Sequence, residues 1–265
     1  MKGQGHMRTI AIMNNKGGVG KTVTAINLAD ILVNRYKKRV VLADCDGQMN
    51  LTRFYRPKFD PVNSCTMADL LMGRGESVWS DNLEHIAPGL DLVPGSPELY
   101  ALDLQAIQDG VSAPERIRDF VACAAEDQET DFFVLDCPTG FTLSSVGALM
   151  AADEVVIPMV LDGFSFEGVY DMHRQIQNLQ RANIKVRIAG VLITRRTKSD
   201  ATAQAESLIR ASGIPVFRQV IRRSPKVTES TFDRRATVQY SPGSAASQDY
   251  RKWVKEYLGG ALDGQ

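Results

Sequence analysis

A glycine-rich stretch near the start of the chain contains a lysine, Lys21, at a position that suits the binding of phosphate groups. The stretch reads Asn14-Asn15-Lys16-Gly17-Gly18-Val19-Gly20-Lys21-Thr22. Glycines let backbone N–H groups approach an anion closely, and a helix that starts there adds partial positive charge. Lys21 would then reach the β- and γ-phosphates of a nucleotide, and the Thr22 hydroxyl would ligate Mg²⁺. The predicted nucleotide ligands in this stretch are Gly17, Gly18, Val19, Gly20, Lys21, Thr22 and Val23.

This stretch departs from the general P-loop pattern G-x-x-x-x-G-K-[ST] at the first position of the pattern. Asn15 stands where the first glycine is expected, and Lys16 follows it. The stretch resembles the deviant Walker A motif, K-G-G-x-G-K-T, of the ParA/MinD group of ATPases. This resemblance implies that ATP and Mg²⁺ are the cofactors. It also implies that Lys16 crosses a dimer interface to the nucleotide of a partner subunit.

Two acids lie two residues apart where a second apolar run, residues 39–43, comes to its end. Asp44 and Asp46 would point the same way if the strand continues through them. Ligands bind at the carboxyl ends of the strands in an open parallel sheet. We therefore expect both carboxylates near the γ-phosphate.

The segment around these acids also resembles the ParA family, whose pattern here is D-x-D-P-Q-x-N. In this chain it reads Asp44-Cys45-Asp46-Gly47-Gln48-Met49-Asn50. By resemblance, Asp46 orients the attacking water and Asp44 supports the Mg²⁺ shell through water. Gly47 replaces the proline of the pattern, and a glycine should make this loop looser.

A third acid, Asp136, ends the apolar run at residues 132–135. An apolar strand that ends in an aspartate is typical of a Walker B motif, whose acid holds a Mg²⁺-bound water beside the γ-phosphate. The next residues, Cys137-Pro138-Thr139-Gly140, resemble the family's D-x-P-P loop, with Thr139 in place of the second proline. The predicted metal-site residues are Thr22, Asp44 and Asp136, and the predicted catalytic residues are Lys16, Lys21 and Asp46.

Alternating apolar runs and helical patterns predict the elements that must position these residues. They indicate an α/β fold with a doubly wound, mostly parallel sheet and helices on both faces. Strands are predicted at residues 8–13, 39–43, within 83–93, and at 131–135, 154–159, 187–193 and 215–221. Helices are predicted at residues 23–36, 66–72, from 96 onward, and at 114–127, 143–152, 164–182, 200–212 and 250–258. Residues 51–64 are expected to be irregular.

The length of 265 residues suits one large domain, which we place at residues 8–258. Residues 1–7 are expected to form a disordered extension, and residues 259–265 a disordered tail. The four cysteines show no C-x-x-C spacing, which favours buried, reduced thiols in a cytosolic protein. There is no apolar run of membrane-spanning length and no secretory signal, so we expect a cytoplasmic location.

The formal net charge of zero indicates that any nucleic-acid contact must come from a local basic patch. Basic residues cluster late in the chain, and in the ParA family the matching segments bind DNA without sequence preference in the ATP-bound dimer. The predicted DNA contacts are Arg195, Arg196, Lys198, Arg222, Arg223 and Lys226. The alternative is that these side chains are solvated or paired with acids, as most surface charges are.

The resemblance runs from residue 8 to about residue 258 and implies a DNA partition ATPase. Two subunits would close over two ATP molecules and bind DNA non-specifically, which would place the protein on the nucleoid. Slow, Mg²⁺-dependent hydrolysis to ADP and phosphate, stimulated by a ParB-like centromere-binding protein, would release the homodimer.

Two alternatives stay open. One is a MinD-like positioning ATPase that binds membranes through residues 250–258. The apolar stripe of that segment also suits packing on the chain's own core, which we favour over a membrane partner. The other is an ATP-locked binding scaffold with weak hydrolysis, suggested by Gly47 and Thr139.

Overall fold

A seven-stranded sheet forms the centre of the computed structural model, which describes residues 6–76, 78–109, 113–163, 165–181 and 185–259. The strands are β1 (Arg8–Ile12), β2 (Val40–Asp44), β3 (Glu84–Ala87), β4 (Leu90–Val93), β5 (Phe132–Asp136), β6 (Glu154–Val160) and β7 (Arg187–Thr194). Their order is β3-β4-β2-β5-β1-β6-β7. Every neighbouring pair is parallel except β3 and β4, so the predicted mostly parallel sheet is confirmed.

Helices cover both faces of this sheet, as predicted. Within the described residues they are α1 (Lys21–Asn34), α2 (Asn50–Tyr55), α3 (Met67–Met72), α4 (Glu98–Asp109), α5 (Glu115–Glu126), α6 (Leu143–Ala151), α7 (Ser165–Arg181), α8 (Asp200–Ala211), α9 (Pro225–Phe232), α10 (Thr237–Tyr240) and α11 (Ala245–Tyr257). Short 3₁₀ turns span Pro61–Asn63 and Trp79–Asn82.

The central strands are buried on both faces because each face carries its own apolar layer. In β1, Ile10 and Ile12 pack with α1 and α11, whereas Ala11 packs with the layer under α3, α5 and α6. This alternation follows the two-residue period of a strand. Burial on both sides explains why these strands read as continuous apolar runs in the sequence.

The strand register decides where the predicted acids lie. Asp44 of β2 pairs with Asp136 of β5, and Asp136 also pairs with Ile12 of β1. The glycine-rich loop begins just after β1, so it lies directly beside both acids. Three chain segments that are far apart in sequence therefore meet at one carboxyl edge of the sheet.

The helix predicted at residues 66–72 is confirmed. Its Thr66 side chain accepts a hydrogen bond from the Asp69 backbone N–H, and the Asp69 carboxylate accepts one in return from the Thr66 N–H. Gly73 ends the helix in the left-handed conformation, which a glycine adopts without steric cost.

The strand predicted at residues 215–221 is wrong. This segment lies beside β7 without forming a continuous ladder. The Ile221 N–H donates to the Ile193 carbonyl at 2.8 Å, and isolated bridges join Val191 with Val216 and Arg196 with Arg222. Between them, the backbone N–H groups of Arg218 and Gln219 donate to the Glu256 carboxylate, at 2.7 and 2.8 Å. The Glu256 side chain of α11 therefore accepts the hydrogen bonds that a neighbouring strand would accept in a continuous ladder.

Other expectations need smaller corrections. The region expected to be irregular contains α2, which follows Met49 in a left-handed conformation with φ of 56°. Met7, assigned to the disordered extension, is buried in the core. Disorder in residues 1–5 and 260–265, and the predicted limits of α7 at residues 164 and 182, lie outside the described residues.

The C-terminal helix α11 packs on the core, as favoured from the sequence. Its side chains Tyr250, Trp253, Val254 and Tyr257 are buried against the layer that holds α1. Ser244 caps the helix by accepting from the Ser247 N–H, so the helix begins earlier than predicted. The apolar stripe of the segment is therefore already covered.

Tyr257 also joins a charged cluster at the opposite edge of the sheet from the predicted acids. Its hydroxyl donates to Glu154 at 2.6 Å, and Glu154 forms ion pairs with Arg8 and Arg187. Burial alone would raise the pKa of Glu154, but the Tyr257 hydrogen bond and the two arginines hold it below its ordinary value.

We predict that Glu154→Gln lowers the free energy of unfolding at pH 7 by about 2 kcal/mol, the size of a hydrogen bond to a charged group. An acid whose pKa is lowered by folding contributes stability above its unfolded pKa and loses it as the pH falls. The difference between wild type and variant should therefore shrink below the ordinary glutamate pKa of 4.5. Urea unfolding across pH measures this, with Glu129→Gln in an exposed ion pair as the control. A pH-independent difference would contradict the prediction.

Candidate functional site

The glycine-rich loop is shaped by two glycines in the left-handed conformation. Gly18 has φ of 73° and Gly20 has φ of 90°, and no atom lies within 4 Å of a Cβ built on either. The backbone conformation, and not crowding, therefore requires glycine here. Gly20 is also the residue before α1, so the loop runs straight into a helix N-terminus. This is the anion-binding geometry that the sequence predicted.

The carbonyl groups of this loop are engaged by side chains around it. Lys21 Nζ donates to the Lys16 carbonyl at 3.0 Å, and Thr194 Oγ1 donates to the Val19 carbonyl at 2.8 Å. Arg195 Nη1 donates to the Gly18 carbonyl at 3.1 Å. Because these carbonyl groups already accept hydrogen bonds from side chains, the remaining backbone N–H groups of the loop are the groups available to bind an anion.

Lys21 lies beneath the loop, where it is 8% exposed. Its ammonium group also donates to Thr139 Oγ1 at 3.1 Å. Burial lowers the pKa of Lys21, and the nearby Asp136 carboxylate opposes that shift. Thr139, which replaces a proline of the family pattern, thus links the predicted phosphate-binding lysine to the loop after β5.

Asp44 is fully buried at the end of β2 and is tied to α2. Its Oδ2 accepts hydrogen bonds from Thr52 Oγ1 at 2.7 Å and from the Thr52 N–H at 2.8 Å, while Oδ1 accepts from the Asp46 N–H. Burial raises the pKa of Asp44 to about 6, although the Thr52 hydrogen bonds favour the ionised form. The missed helix α2 therefore supplies the partner that holds this acid.

Asp46 has a different setting from Asp44, because β2 ends at Asp44 and the chain then turns. Asp46 is half-buried, and its Oδ1 accepts from the Gln48 N–H at 2.9 Å. The two carboxylates were expected to point the same way only if the strand continued through Asp46, but β2 ends at Asp44. The two acids are held separately, one under the sheet edge and one in the loop above it.

Asp136 has the features of a cation ligand. It is 1% exposed, and its Oδ1 accepts no hydrogen bond from any described residue. Burial and the neighbouring Asp44 raise its pKa well above the ordinary value, whereas the hydrogen bond from Thr22 opposes this. A buried carboxylate oxygen with no donor, beside a threonine hydroxyl, fits a hard cation such as Mg²⁺.

The described residues contain no group of three or more His, Cys, Asp and Glu side chains arranged to hold a metal by themselves. This also fits Mg²⁺, which keeps several waters and is bound through one or two carboxylates and the phosphates of a substrate. Thr22 and Asp136 would hold the ion, and Asp44 lies next to them.

Lys16 lies at the front of the loop. Its Nζ is 3.3 Å from Asp162 Oδ1, just beyond the end of β6, and its backbone N–H donates to Asn14 Oδ1 at 2.9 Å. Asn14 in turn donates to the Pro158 carbonyl at 2.6 Å. The loop is therefore anchored to β6, and the Lys16 side chain lies along the same edge of the sheet.

A cavity of about 690 Å³ opens beside the loop, and its apolar lining was not predicted from the sequence. Its volume lies in the range of ligand pockets. The wall comes from three places: the loop and α1, the end of β7, and residues 221–231 with α11. The lining residues include Gly18, Gly20, Val23, Thr194, Arg195, Arg222, Pro225, Val227, Thr228 and Tyr250. An apolar wall next to a phosphate cradle suits the base of a nucleotide.

The two basic clusters predicted to bind DNA lie side by side, because Arg196 N–H donates to the Ile221 carbonyl and Arg223 N–H to the Arg196 carbonyl. Most of their side chains, however, are engaged elsewhere. Arg196 pairs with Glu206 at 3.0 Å, and Lys226 pairs with Glu229 at 2.6 Å.

Three of the predicted DNA contacts, Arg195, Arg222 and Arg223, line the cavity. Arg222 forms a two-pronged ion pair with the buried Asp249, both bonds being 2.8 Å, and Arg195 binds the loop carbonyl described above. Lys198 and Arg223 are exposed, and neither forms an ion pair with a described residue. Lys198, which does not line the cavity, is the member of the predicted set best placed to meet phosphates outside it.

The fold and the site together define a P-loop protein with a nucleotide cavity and a two-lysine loop. Comparison with known proteins agrees with this class. Residues 7–188 match the AAA domain family. The chain is 30% identical to the chromosome partitioning protein ParA of Caulobacter vibrioides, over 98% of this chain and 97% of that protein. It is 31% identical to the chromosome-partitioning ATPase Soj of Thermus thermophilus, over 95% of this chain and 96% of that protein.

The chain therefore belongs to the ParA/Soj family of P-loop ATPases. Solved structures share its fold. Apo McdA of Cyanothece superposes with a TM-score of 0.83 at 22% identity, covering 96% of this chain and all of that one. MinD of Pyrococcus horikoshii, solved with Mg-ADP, has a TM-score of 0.76 at 22% identity and covers 98% of this chain and all of that one.

We predict that Asp136→Asn stabilises the nucleotide-free protein by roughly 1 kcal/mol, because an amide carries no buried charge next to Asp44. The same change should remove the extra stabilisation that Mg²⁺ gives in the presence of ATP. Thermal unfolding with ATP, with and without Mg²⁺, measures both effects. Asp119→Asn, which changes an exposed acid on α5, should behave as wild type. A variant that Mg²⁺ and ATP stabilise as much as wild type would contradict the assignment.

Proposed function

We propose that the protein is a DNA partition ATPase. It would bind Mg²⁺ and ATP, form a dimer that binds DNA, and release the DNA when ATP is hydrolysed. The observation that carries the proposal is the convergence of Lys21, Asp46 and Asp136 on one phosphate loop. Relatives named as chromosome-partitioning proteins, similar over nearly the whole chain, support it. As in other phosphoryl transfers, catalysis would consist of positioning and charge stabilisation.

Each side chain has a distinct task in this proposal. The amides of the loop and Lys21 would bind the β- and γ-phosphates, and Lys21 would leave its Thr139 contact to do so. Thr22 and Asp136 would hold Mg²⁺, which supplies positive charge to the developing phosphate oxygens when bound. Asp46 would orient the attacking water, since it lies in the loop above the buried acids. The cavity walled by Val23 and residues 221–231 would take the base.

Lys16 would act on the nucleotide of the partner subunit. In the single chain its ammonium group lies beside Asp162, which is 49% exposed and therefore close to solvent. An ion pair of this exposure is weak, so Lys16 can be drawn away by a more strongly charged phosphate. The working unit in this proposal is a homodimer that closes on two ATP molecules.

DNA binding would use the exposed basic residues that form no ion pair with a described residue. Lys198 and Arg223 lie on neighbouring loops that the Arg196 and Ile221 backbone groups hold together. Contacts of this kind go to phosphates and carry no sequence preference. Dimer closure would bring two such surfaces together, and a ParB-like protein that speeds hydrolysis would release the DNA. The protein would then be cytoplasmic and would sit on the nucleoid while ATP-bound.

Two other functions are weaker candidates. A MinD-like membrane switch would need an exposed apolar face on the last helix, but Tyr250, Trp253 and Tyr257 are buried there. No helix in the described part of the chain is long and apolar enough to cross a membrane. An ATP-locked scaffold would show no hydrolysis that depends on Asp46. Flotation with liposomes and a comparison with Asp46→Ala separate these candidates from the partition ATPase.

We predict that Lys16→Ala abolishes ATP hydrolysis but keeps part of the nucleotide affinity, since Lys21 and the loop amides remain. Fluorescent-nucleotide titration and phosphate release measure the two properties separately. The exposed Lys58→Ala variant controls for the loss of a surface charge. Wild-type turnover by Lys16→Ala would refute the role given to this lysine.

We also predict that the protein binds arbitrary-sequence DNA with ATP but not with ADP or without nucleotide. Binding should weaken with salt, with a log–log slope of about −0.9 for each phosphate neutralised. Lys198→Ala, at an exposed residue outside the cavity, should reduce that slope by about one unit per site, whereas the exposed Arg118→Ala on α5 should not. Gel shifts at several salt concentrations test this. Equal binding in all nucleotide states would count against the proposal.

A further inference from the structure

The loop that carries Asp46 contains a glycine whose presence the backbone does not explain. Gly47 does not adopt the left-handed backbone conformation that favours glycine. Space explains it instead: a Cβ at this position would lie 2.8 Å from Cε2 and Cζ of Tyr100. The tyrosine ring of α4 thus rests directly on the Gly47 backbone, and any larger residue would push the ring away.

Tyr100 is also hydrogen-bonded to the residue that follows that glycine. Gln48 Nε2 donates to the Tyr100 hydroxyl at 2.6 Å. The Gln48 backbone N–H in turn donates to Asp46 Oδ1 at 2.9 Å. Gln48 therefore links the tyrosine of α4 to Asp46, on the other side of the glycine.

Helix α4 is fixed well enough to act as a support. Leu99, next to Tyr100, is 3% exposed in the core. One turn further on, Asp103 Oδ1 accepts from the Leu143 N–H at 2.7 Å, at the first residue of α6. The loop that ends in α6 is the one that carries Thr139. The same helix thus contacts the loops after β2 and after β5.

From these contacts we propose that Tyr100 is a positioning residue for ATP hydrolysis, which holds Asp46 in place by covering Gly47 and bridging to Gln48. This inference rests on the proposed ATPase function and refines it. The sequence predicted a looser loop because Gly47 replaces a proline. The structure points to a different arrangement, in which the glycine makes room for a tyrosine that restrains the loop from above.

The test compares Tyr100→Phe, Tyr100→Ala, Gly47→Ala and the double variant Gly47→Ala/Tyr100→Ala. Tyr100→Ala should lower kcat about tenfold and leave the KM for ATP nearly unchanged, because a displaced catalytic group affects chemistry more than binding. Tyr100→Phe keeps the ring and loses the hydroxyl, so its kcat should lie between those of wild type and Tyr100→Ala. Gly47→Ala should resemble Tyr100→Ala, because the new methyl displaces the ring.

The double variant distinguishes restraint of the loop from two unrelated effects. If the ring and the glycine act as one unit, the double variant should be no slower than either single variant. Gln105→Ala, an exposed position on the same helix, should match wild type. All rates are measured at saturating protein concentration, so that a weakened dimer does not mimic a slower chemical step.

Hydrogen exchange gives a second readout that does not need hydrolysis. The peptide spanning residues 44–52 should exchange faster in Tyr100→Ala and Gly47→Ala than in wild type or Gln105→Ala. Unchanged exchange in this peptide, or a kcat in Tyr100→Ala equal to wild type, would overturn the role of Tyr100. Absence of Asp46-dependent hydrolysis in the wild-type protein would instead refute the proposed function, and the exchange data would still decide whether Tyr100 holds the loop.

Discussion

The site depends on the burial of two carboxylates side by side. Parallel pairing of β2 with β5 places Asp44 next to Asp136, and both lie in the interior beneath the glycine-rich loop. Burial raises the pKa of both acids, and the charge of Asp44 raises that of Asp136 further. Thr52, Thr22 and Lys21 compensate only in part. A divalent cation would supply positive charge beside these two carboxylates, and the phosphates of a nucleotide would complete its ligands.

The same constraint explains why nearby elements are arranged as they are. Helix α2 begins directly after the Asp46 loop, and this places Thr52 where it donates to Asp44. Helix α4 lies over that loop, with Tyr100 on Gly47 and Asp103 at the start of α6. Perturbed acids and strained loops concentrate at functional sites, where stability is lower in exchange for chemistry.

Much of this arrangement was predictable from the sequence, because it rests on local patterns. The strand, glycine loop and helix at residues 8–34 are contiguous, and each acid directly follows an apolar run. What could not be predicted depends on contacts between distant residues. Helix α2 follows a left-handed Met49 that no pattern marks, and residues 215–221 lose their strand because Glu256 takes their N–H groups.

The basic residues show the same limit. Their clustering was visible in the sequence, but the partners that occupy them were not. Asp249 lies 27 residues from Arg222 and fixes it beside the cavity, and Glu206 fixes Arg196. A count of basic residues therefore overestimated the surface available to DNA. Tyr100 and Gly47 are a further example, because nothing in the spacing of these two residues indicates that they touch.

We propose that the working site is shared between two subunits: Lys16 of one acts on the nucleotide whose attacking water is oriented by Asp46 of the other. Mixing Lys16→Ala and Asp46→Ala subunits, each inactive alone, tests it most directly by ATPase rate. Shared sites predict recovery of about one quarter of the wild-type rate, since half of the dimers are mixed and each mixed dimer has one complete site. A mixture as inactive as its two components would contradict the account, because it would place Lys16 and Asp46 on the same nucleotide in one chain.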